Sequence, residues 1–274
     1  MNLGAHVSIA GGLDKSLDRI DEMGGNCLMT FASSPRSLKT STIKPDLIKK
    51  YLAKKQELKI KSHYFHGVYL VNLASDSKAY VKASRESLIY YQQLAAEIEA
   101  VGTIFHIGSH KGKGLSDTID QIVTAINYIL DSSPKYTKLI IENAAGQGGT
   151  VGSDFSELSE IISRIGDRNK IGVCLDTQHA FASGYPLKTL MDKFEQSIGL
   201  KHLAVIHLND SATEFASNVD RHANWGEGKI PLEDLKIFLA NPKIKDIPII
   251  LEVPGAGDGP RKRDIDFIKK LIEN

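Results

Sequence analysis

The chain has 274 residues, 42% apolar and 24% charged, the balance of a globular protein that can bury a full core. Its formal net charge is +1, so a nucleic-acid partner would have to be met by a local basic surface and not by overall charge. Two cysteines exclude a disulfide framework, the N-terminal MNLGAHVSIAGG lacks the regions of a signal peptide, and no apolar run approaches the roughly 18 residues of a membrane span, so the expected location is cytoplasmic.

Short β-rich runs alternate with amphipathic segments from end to end. A strand over residues 3–7 leads to a helix over 12–23. A strand over 26–31 leads to a helix over 45–58, with Pro45 where a first turn tolerates proline. The strand at 60–65 precedes the clearest helix, 78–101, in which Val81, Leu88, Tyr91, Ala95 and Ile98 recur at helical spacing. The remaining strand–helix pairs are 103–107 with 117–130, 138–142 with 154–165, 171–176 with 187–198, 203–208 with 231–239, and 247–253 with 263–272. Eight such units without a linker predict one domain over residues 1–274, an α/β (β/α)8 barrel. An open doubly wound sheet would share the same alternation.

A barrel collects functional residues at the C-terminal ends of its strands. Strand three runs into HYFHGVYLVNLAS, with His63 and His66; strand four, TIFHIGSHKGKG, presents His106 and then His110. Strand five ends on Glu142 and strand six on Asp176, with His179 beyond. Strand seven ends on His207, and the loop after it holds Asp220 and His222; strand eight carries Glu252. A lone strand-end histidine is more often a hydrogen-bonded core residue than a ligand. Six successive strands ending on a histidine or an acid point instead to divalent cations, which remove the cost of bringing such groups together. Imidazole and carboxylate donors without thiolates suit zinc, manganese or iron. At roughly three protein ligands per catalytic zinc, nine donors imply two or three metals, an arrangement suited to phosphoryl-ester hydrolysis. Asp220 and His222, two apart on an extended segment, point the same way and can chelate one ion.

The stretches GAHVSIAGGL, YLVNLAS, FHIGSH, IIENAAGQGG, GVCLDTQHAFASGY, IHLNDS, VDRHANWGEGKI and ILEVPG occur in one order over nearly the whole chain. In them the sequence resembles the endonuclease IV family of apurinic/apyrimidinic endonucleases. The resemblance implies a (β/α)8 barrel with three zinc ions, manganese or iron being an option at one position. His66, His106 and Glu142 would hold the first; Glu142 would bridge to a second, completed by Asp176, His207 and Glu252; His179, Asp220 and His222 would hold the third. It further implies hydroxide attack on the phosphorus 5′ to an abasic site in duplex DNA, leaving 3′-OH and 5′-deoxyribose phosphate, with trimming of blocked 3′ ends. Glu142 and Glu252 would orient the nucleophile or take its proton. Arg36 and Tyr69 match residues inserted into DNA, and a monomer is expected. Lys111 and Lys113 are candidate phosphate contacts, and Trp225 a candidate pocket wall. The loop FASSPRSLKT departs from the family pattern at Ser33-Ser34 and Leu38, and Gln178 replaces a common cysteine at a position that is not a ligand, where the change is expected to matter little. His6, ending strand one, is expected to support a ligand from behind.

Two other functions compete. A one-metal sugar isomerase or epimerase would use Glu142, Asp176, His207 and Glu252 but has no need of the other five donors. A non-catalytic lesion binder has no need to keep any ligand.

Overall fold

The computed structural model describes residues 2–40 and 42–273. In chain order the elements are β1 (Leu3–His6), α1 (Leu13–Glu22), β2 (Cys27–Thr30), α2 (Pro45–Glu57), β3 (Ser62–His66), α3 (Lys78–Glu97), β4 (Gly102–Phe105) and α4 (Ile119–Asp131). They continue with β5 (Lys138–Glu142), α5 (Phe155–Arg164), β6 (Ile171–Asp176), α6 (Thr177–Ala182), α7 (Leu190–Ser197) and β7 (Leu203–His207). The chain closes with β8 (Asp210–Ser211), β9 (His222–Ala223), α8 (Leu232–Leu239), β10 (Ile249–Leu251) and α9 (Lys262–Glu273). Eight parallel strands form a closed barrel in the order β1-β10-β7-β6-β5-β4-β3-β2, with helices around it. The expected (β/α)8 barrel is therefore the fold.

Local chemistry explains the helix boundaries. The Ser77 hydroxyl accepts from Tyr80 N at 3.3 Å to start α3, and Asp154 accepts from Ser156 N at 2.8 Å to start α5. In α1, Leu13, Leu17 and Ile20 are buried on one face, while Asp18 on another receives Lys54 of α2 at 2.7 Å. Gly4 permits the closest strand approach: a Cβ there would lie 1.7 Å from the Cys27 carbonyl oxygen of β2.

Three details differ from the sequence reading. The chain turns directly from β6 into α6, because the Asp176 carboxylate accepts the His179 amide at 2.8 Å as an N-cap. The helix expected over 187–198 is divided into a 3-10 turn, Leu187–Thr189, and α7. β8 and β9 form a two-stranded antiparallel ladder, pairing Ser211 with His222. Among the described residues, no helix is long and apolar enough to cross a membrane.

The interior of the barrel is layered. Cys27, Met29, Tyr64, Ile104, Ile140, Cys174, Val205 and Ile250 form an apolar cluster of their own, separate from the larger core between barrel and helices. This inner cluster is the floor of the site.

Candidate metal centre

Side chains two residues apart on a strand share a face. Two residues beyond the floor residues Tyr64, Ile104, Ile140, Cys174, Val205 and Ile250 stand His66, His106, Glu142, Asp176, His207 and Glu252. Period-two alternation thus lifts six donors together to the barrel mouth. α6 adds His179, and the segment between β8 and the end of β9 adds Asp220 and His222.

Glu142 lies at the centre and is fully buried. Its Oε2 is 3.0 Å from His66 Nε2 and 3.5 Å from His106 Nε2; its Oε1 is 2.9 Å from His207 Nδ1. His207 Nδ1 is also 2.9 Å from Glu252 Oε2 and 4.0 Å from Asp176 Oδ2. Donor atoms within 4.8 Å of one another define three nitrogen–oxygen sets: His66, His106 and Glu142; Glu142, Asp176, His207 and Glu252; and Asp176, His179 and His222. Glu142 belongs to two of them, as does Asp176. Asp220 approaches the third set from the rim: its Oδ1 is 3.4 Å from His179 Nε2 and 3.7 Å from His222 Nε2.

A second layer of hydrogen bonds aims these groups. His66 Nδ1 bonds the Gly67 carbonyl at 2.7 Å, which turns Nε2 toward Glu142. His222 Nδ1 faces the Glu252 carbonyl at 3.3 Å, leaving a buried Nε2 with no hydrogen-bonding partner among the described residues, aimed between Asp176 and Asp220. His6 Nδ1 meets Glu252 Oε1 at 2.9 Å, the supporting position expected for it. Asn209 donates to Asp176 Oδ2 at 2.6 Å and accepts from Glu252 N at 2.8 Å, joining two strand ends. Asn143 clamps the Asp176 backbone from both sides, at 2.7 and 3.1 Å.

The electrostatics show which charge the cluster favours. Burial opposes the charge on Glu142, yet His207 and His106 hold its carboxyl well below the usual range. Glu252 is held down in the same way, by His207 and His6 against burial. Burial also opposes protonation of His179, but Asp176, Asp220 and Glu142 raise it to about 10. His207 is raised well above its ordinary value against burial, with the neighbouring Cys174 sulfur and the Glu142 and Glu252 carboxylates responsible. His106 goes the other way, because burial outweighs Glu142. Protons on imidazoles are therefore standing in for positive charge that the carboxylates demand, and convergent nitrogens and oxygens of this kind fit divalent cations. A fourth group brings Cys174 near Glu142 and His207, but burial pushes its thiol up, so it stays neutral and is a poor ligand.

The donors open into a groove with two lobes, of about 740 and 680 Å³, that share His66, Tyr69, His106, His179, Asp220 and Arg221. Tyr69 is 66% exposed on the rim, its ring edge-on to Phe31 with centroids 5.3 Å apart. Its amide donates to the Pro35 carbonyl at 3.0 Å, so the loops bearing Tyr69 and the exposed Arg36 are tied together. Lys111 lines the first lobe, whereas Lys113 is paired with Asp76. Trp225 is buried behind the wall, its Nε1–H donating to the Leu208 carbonyl at 3.0 Å. His63 is structural: it lies between Tyr51 Oη and Thr30 Oγ1, at 2.6 and 2.9 Å, and burial pushes it down to about 3. His110 accepts from the Gly112 and Gly114 amides, ordering its own loop. Sequence reasoning missed Asn143 and Asn209; the available signal was an asparagine inside an apolar run, one residue past Glu142 and two past His207.

The sequence model of the family described as xylose isomerase-like TIM barrel matches residues 17–271. The chain is 40% identical over 280 residues to a protein of Halothermothrix orenii named probable endonuclease 4, covering 99% of each. It is 34% identical to one of the same name from Thermosipho africanus, covering 100% of this chain and 99% of that protein. Endonuclease IV from Thermus thermophilus superposes with a TM-score of 0.87 at 29% identity, covering 100% of this chain and 98% of that one. A D-tagatose 3-epimerase-like protein, at a TM-score of 0.77 and 20% identity, shares the fold alone.

Proposed function

The chain belongs to the endonuclease IV family of xylose isomerase-like TIM barrels, and on that premise we propose that it is a DNA-repair endonuclease. Its reaction is hydrolysis of the phosphodiester 5′ to an abasic site in duplex DNA, leaving 3′-OH and 5′-deoxyribose phosphate. The same site trims blocked 3′ ends. The observation that carries this reading is the nine-donor cluster at one barrel mouth, with Glu142 common to two donor sets. A one-metal sugar isomerase leaves five of those donors without a purpose.

His66, His106 and Glu142 would hold one zinc; Glu142, Asp176, His207 and Glu252 a second; His179, Asp220 and His222 a third, with manganese or iron an option at one position. Cations held there supply Lewis-acid charge to phosphoryl oxygens and bring the pKa of a water toward about 7. Glu142 and Glu252, ionised at neutral pH by the imidazoles around them, orient the attacking water or take its proton. His6 fixes the Glu252 oxygen that faces away from His207. Tyr69 and Arg36, exposed on tied loops, supply the wedge that bends the duplex where stacking is already lost; Lys111 meets a phosphate, and Lys113 does so only when it leaves Asp76. The enzyme works as a cytoplasmic monomer.

The test is one abasic-site duplex and one ketose, each incubated with and without prior chelation. Incision of the duplex, its loss after chelation and no ketose conversion are expected. Ketose turnover without incision would transfer the chain to the sugar isomerases.

A further inference from the structure

Gln178 is fully buried in the first turn of α6, directly before the donor His179. Its Nε2 donates to the Val219 carbonyl at 3.0 Å and to Ser211 Oγ at 3.4 Å. Both acceptors are neighbours of donors. Val219 immediately precedes Asp220, and Ser211 is the ladder partner of His222. One amide group therefore touches the backbone beside Asp220 and the strand opposite His222, and is itself next to His179.

The other ties on this segment each reach fewer of these groups: within the ladder, Ala212 N donates to the Arg221 carbonyl at 2.9 Å. Ala216 and Asn218 donate to the Phe181 and Ala182 carbonyls, at 3.1 and 2.9 Å, and Asp220 N donates to Gln147 Oε1 at 3.2 Å. The Val219 carbonyl has one further donor, the Thr213 hydroxyl at 3.3 Å. Among the described residues, Gln178 alone links all three donor-bearing segments.

We propose that Gln178 is the positioning residue for His179, Asp220 and His222, fixing the span between them without touching a metal. This deepens the functional reading and rests on its assignment of metal to that set. The other two sets stand on barrel strand ends, which do not pass through the 211–222 segment. Loss of the amide should therefore loosen one metal and spare the rest, a split that a general packing role would not produce.

The variant is Gln178→Met, which keeps the volume and removes the donor. It also removes Oε1, a buried acceptor without a partner among the described residues, so little stability is lost with it. Gln178→Leu is a second replacement for the case in which the longer chain does not fit. Each protein is loaded with zinc, stripped by graded chelator and assayed for metal per chain, and the melting temperature of the metal-free form is recorded. The expected result is release of one metal at about 10- to 100-fold lower chelator strength, the others held as in the wild type and the melting temperature shifted by only a few degrees. Unchanged release, or proportionate release of every metal, would overturn the proposal alone. A wild-type chain that takes up no metal would overturn the functional reading and this proposal with it.

Discussion

The Glu142 carboxylate and the His207 imidazole meet at 2.9 Å, Oε1 to Nδ1, with neither side chain exposed. Such a pair is stable only while both charges are balanced, and Glu142 also faces His66 and His106. Glu142→Gln should therefore disturb two donor sets at once. Incision of abasic duplex should fall by more than about 10²-fold, beyond the range for a merely supporting residue. Binding of abasic DNA should persist in a gel-shift assay, and zinc content should fall below wild type. Near-wild-type incision would remove Glu142 from the centre of the chemistry.

The raised imidazoles make metal uptake a proton-exchange reaction. His179, raised to about 10, holds a proton at neutral pH that a cation must displace, and His207 and His66 are shifted in the same direction. Calorimetric zinc titrations of metal-free protein at pH 7.5 should give heats that vary with the buffer's ionisation enthalpy. The slope should correspond to about one proton or more released. A slope of zero would contradict the protonated state of the empty cluster.

The same charges set how this site stabilises the metal-free fold. His179 binds its proton more tightly folded than unfolded, so its contribution is complete below 6.5 and is lost as pH rises through about 10. Asp220, which His179 and His222 hold at about 2 against burial, contributes above 3.8 and loses that contribution as pH falls through about 2. The melting temperature of metal-free protein should therefore decline from pH 6.5 toward pH 10. Zinc-loaded protein, in which cations replace the protons, should not show that decline.

Asn209 connects Asp176 to the backbone of Glu252 and touches no candidate cation position directly. Asn209→Ala should weaken zinc binding by about 10- to 100-fold in chelator competition. Affinity equal to wild type would show that Asp176 and Glu252 are held by the barrel alone.

The two candidate phosphate contacts are not equivalent. Lys111 is exposed in the first lobe, whereas Lys113 is neutralised by Asp76. Lys111→Ala should reduce the salt dependence of duplex binding by about one counterion, a slope change of roughly 0.9. Asp76→Ala frees Lys113 and should move the slope in the opposite direction. Identical slopes for wild type and Lys111→Ala would place the DNA path elsewhere.

The barrel and its donors were legible because one rule wrote both. Apolar strand residues such as Ile140 and Val205 and the donors Glu142 and His207 share a two-residue period, so a polar residue ending an apolar run announces the mouth. α6 was not legible: its six residues are all buried, leaving no polar face to mark a helical period. The β8–β9 ladder, two residue pairs long, leaves no alternation to read. Asn143 and Asn209 carry turn-forming side chains, and their role depends on partners 33 and 43 residues away. Trp225 was expected at the pocket wall, but its indole is drawn inward by the Leu208 carbonyl. The Lys113–Asp76 pair spans two loops that nothing in the sequence relates.

The apolar floor has a kinetic meaning as well. Slipping any of the six donor-bearing strands by one residue would exchange its inward and outward faces, turning that strand's donor toward the surrounding helices and an oily side chain toward the mouth. Correct register in the barrel and a complete donor cluster are therefore one condition. A folding chain gathers its nine donors at one mouth only once these strands have zipped into register.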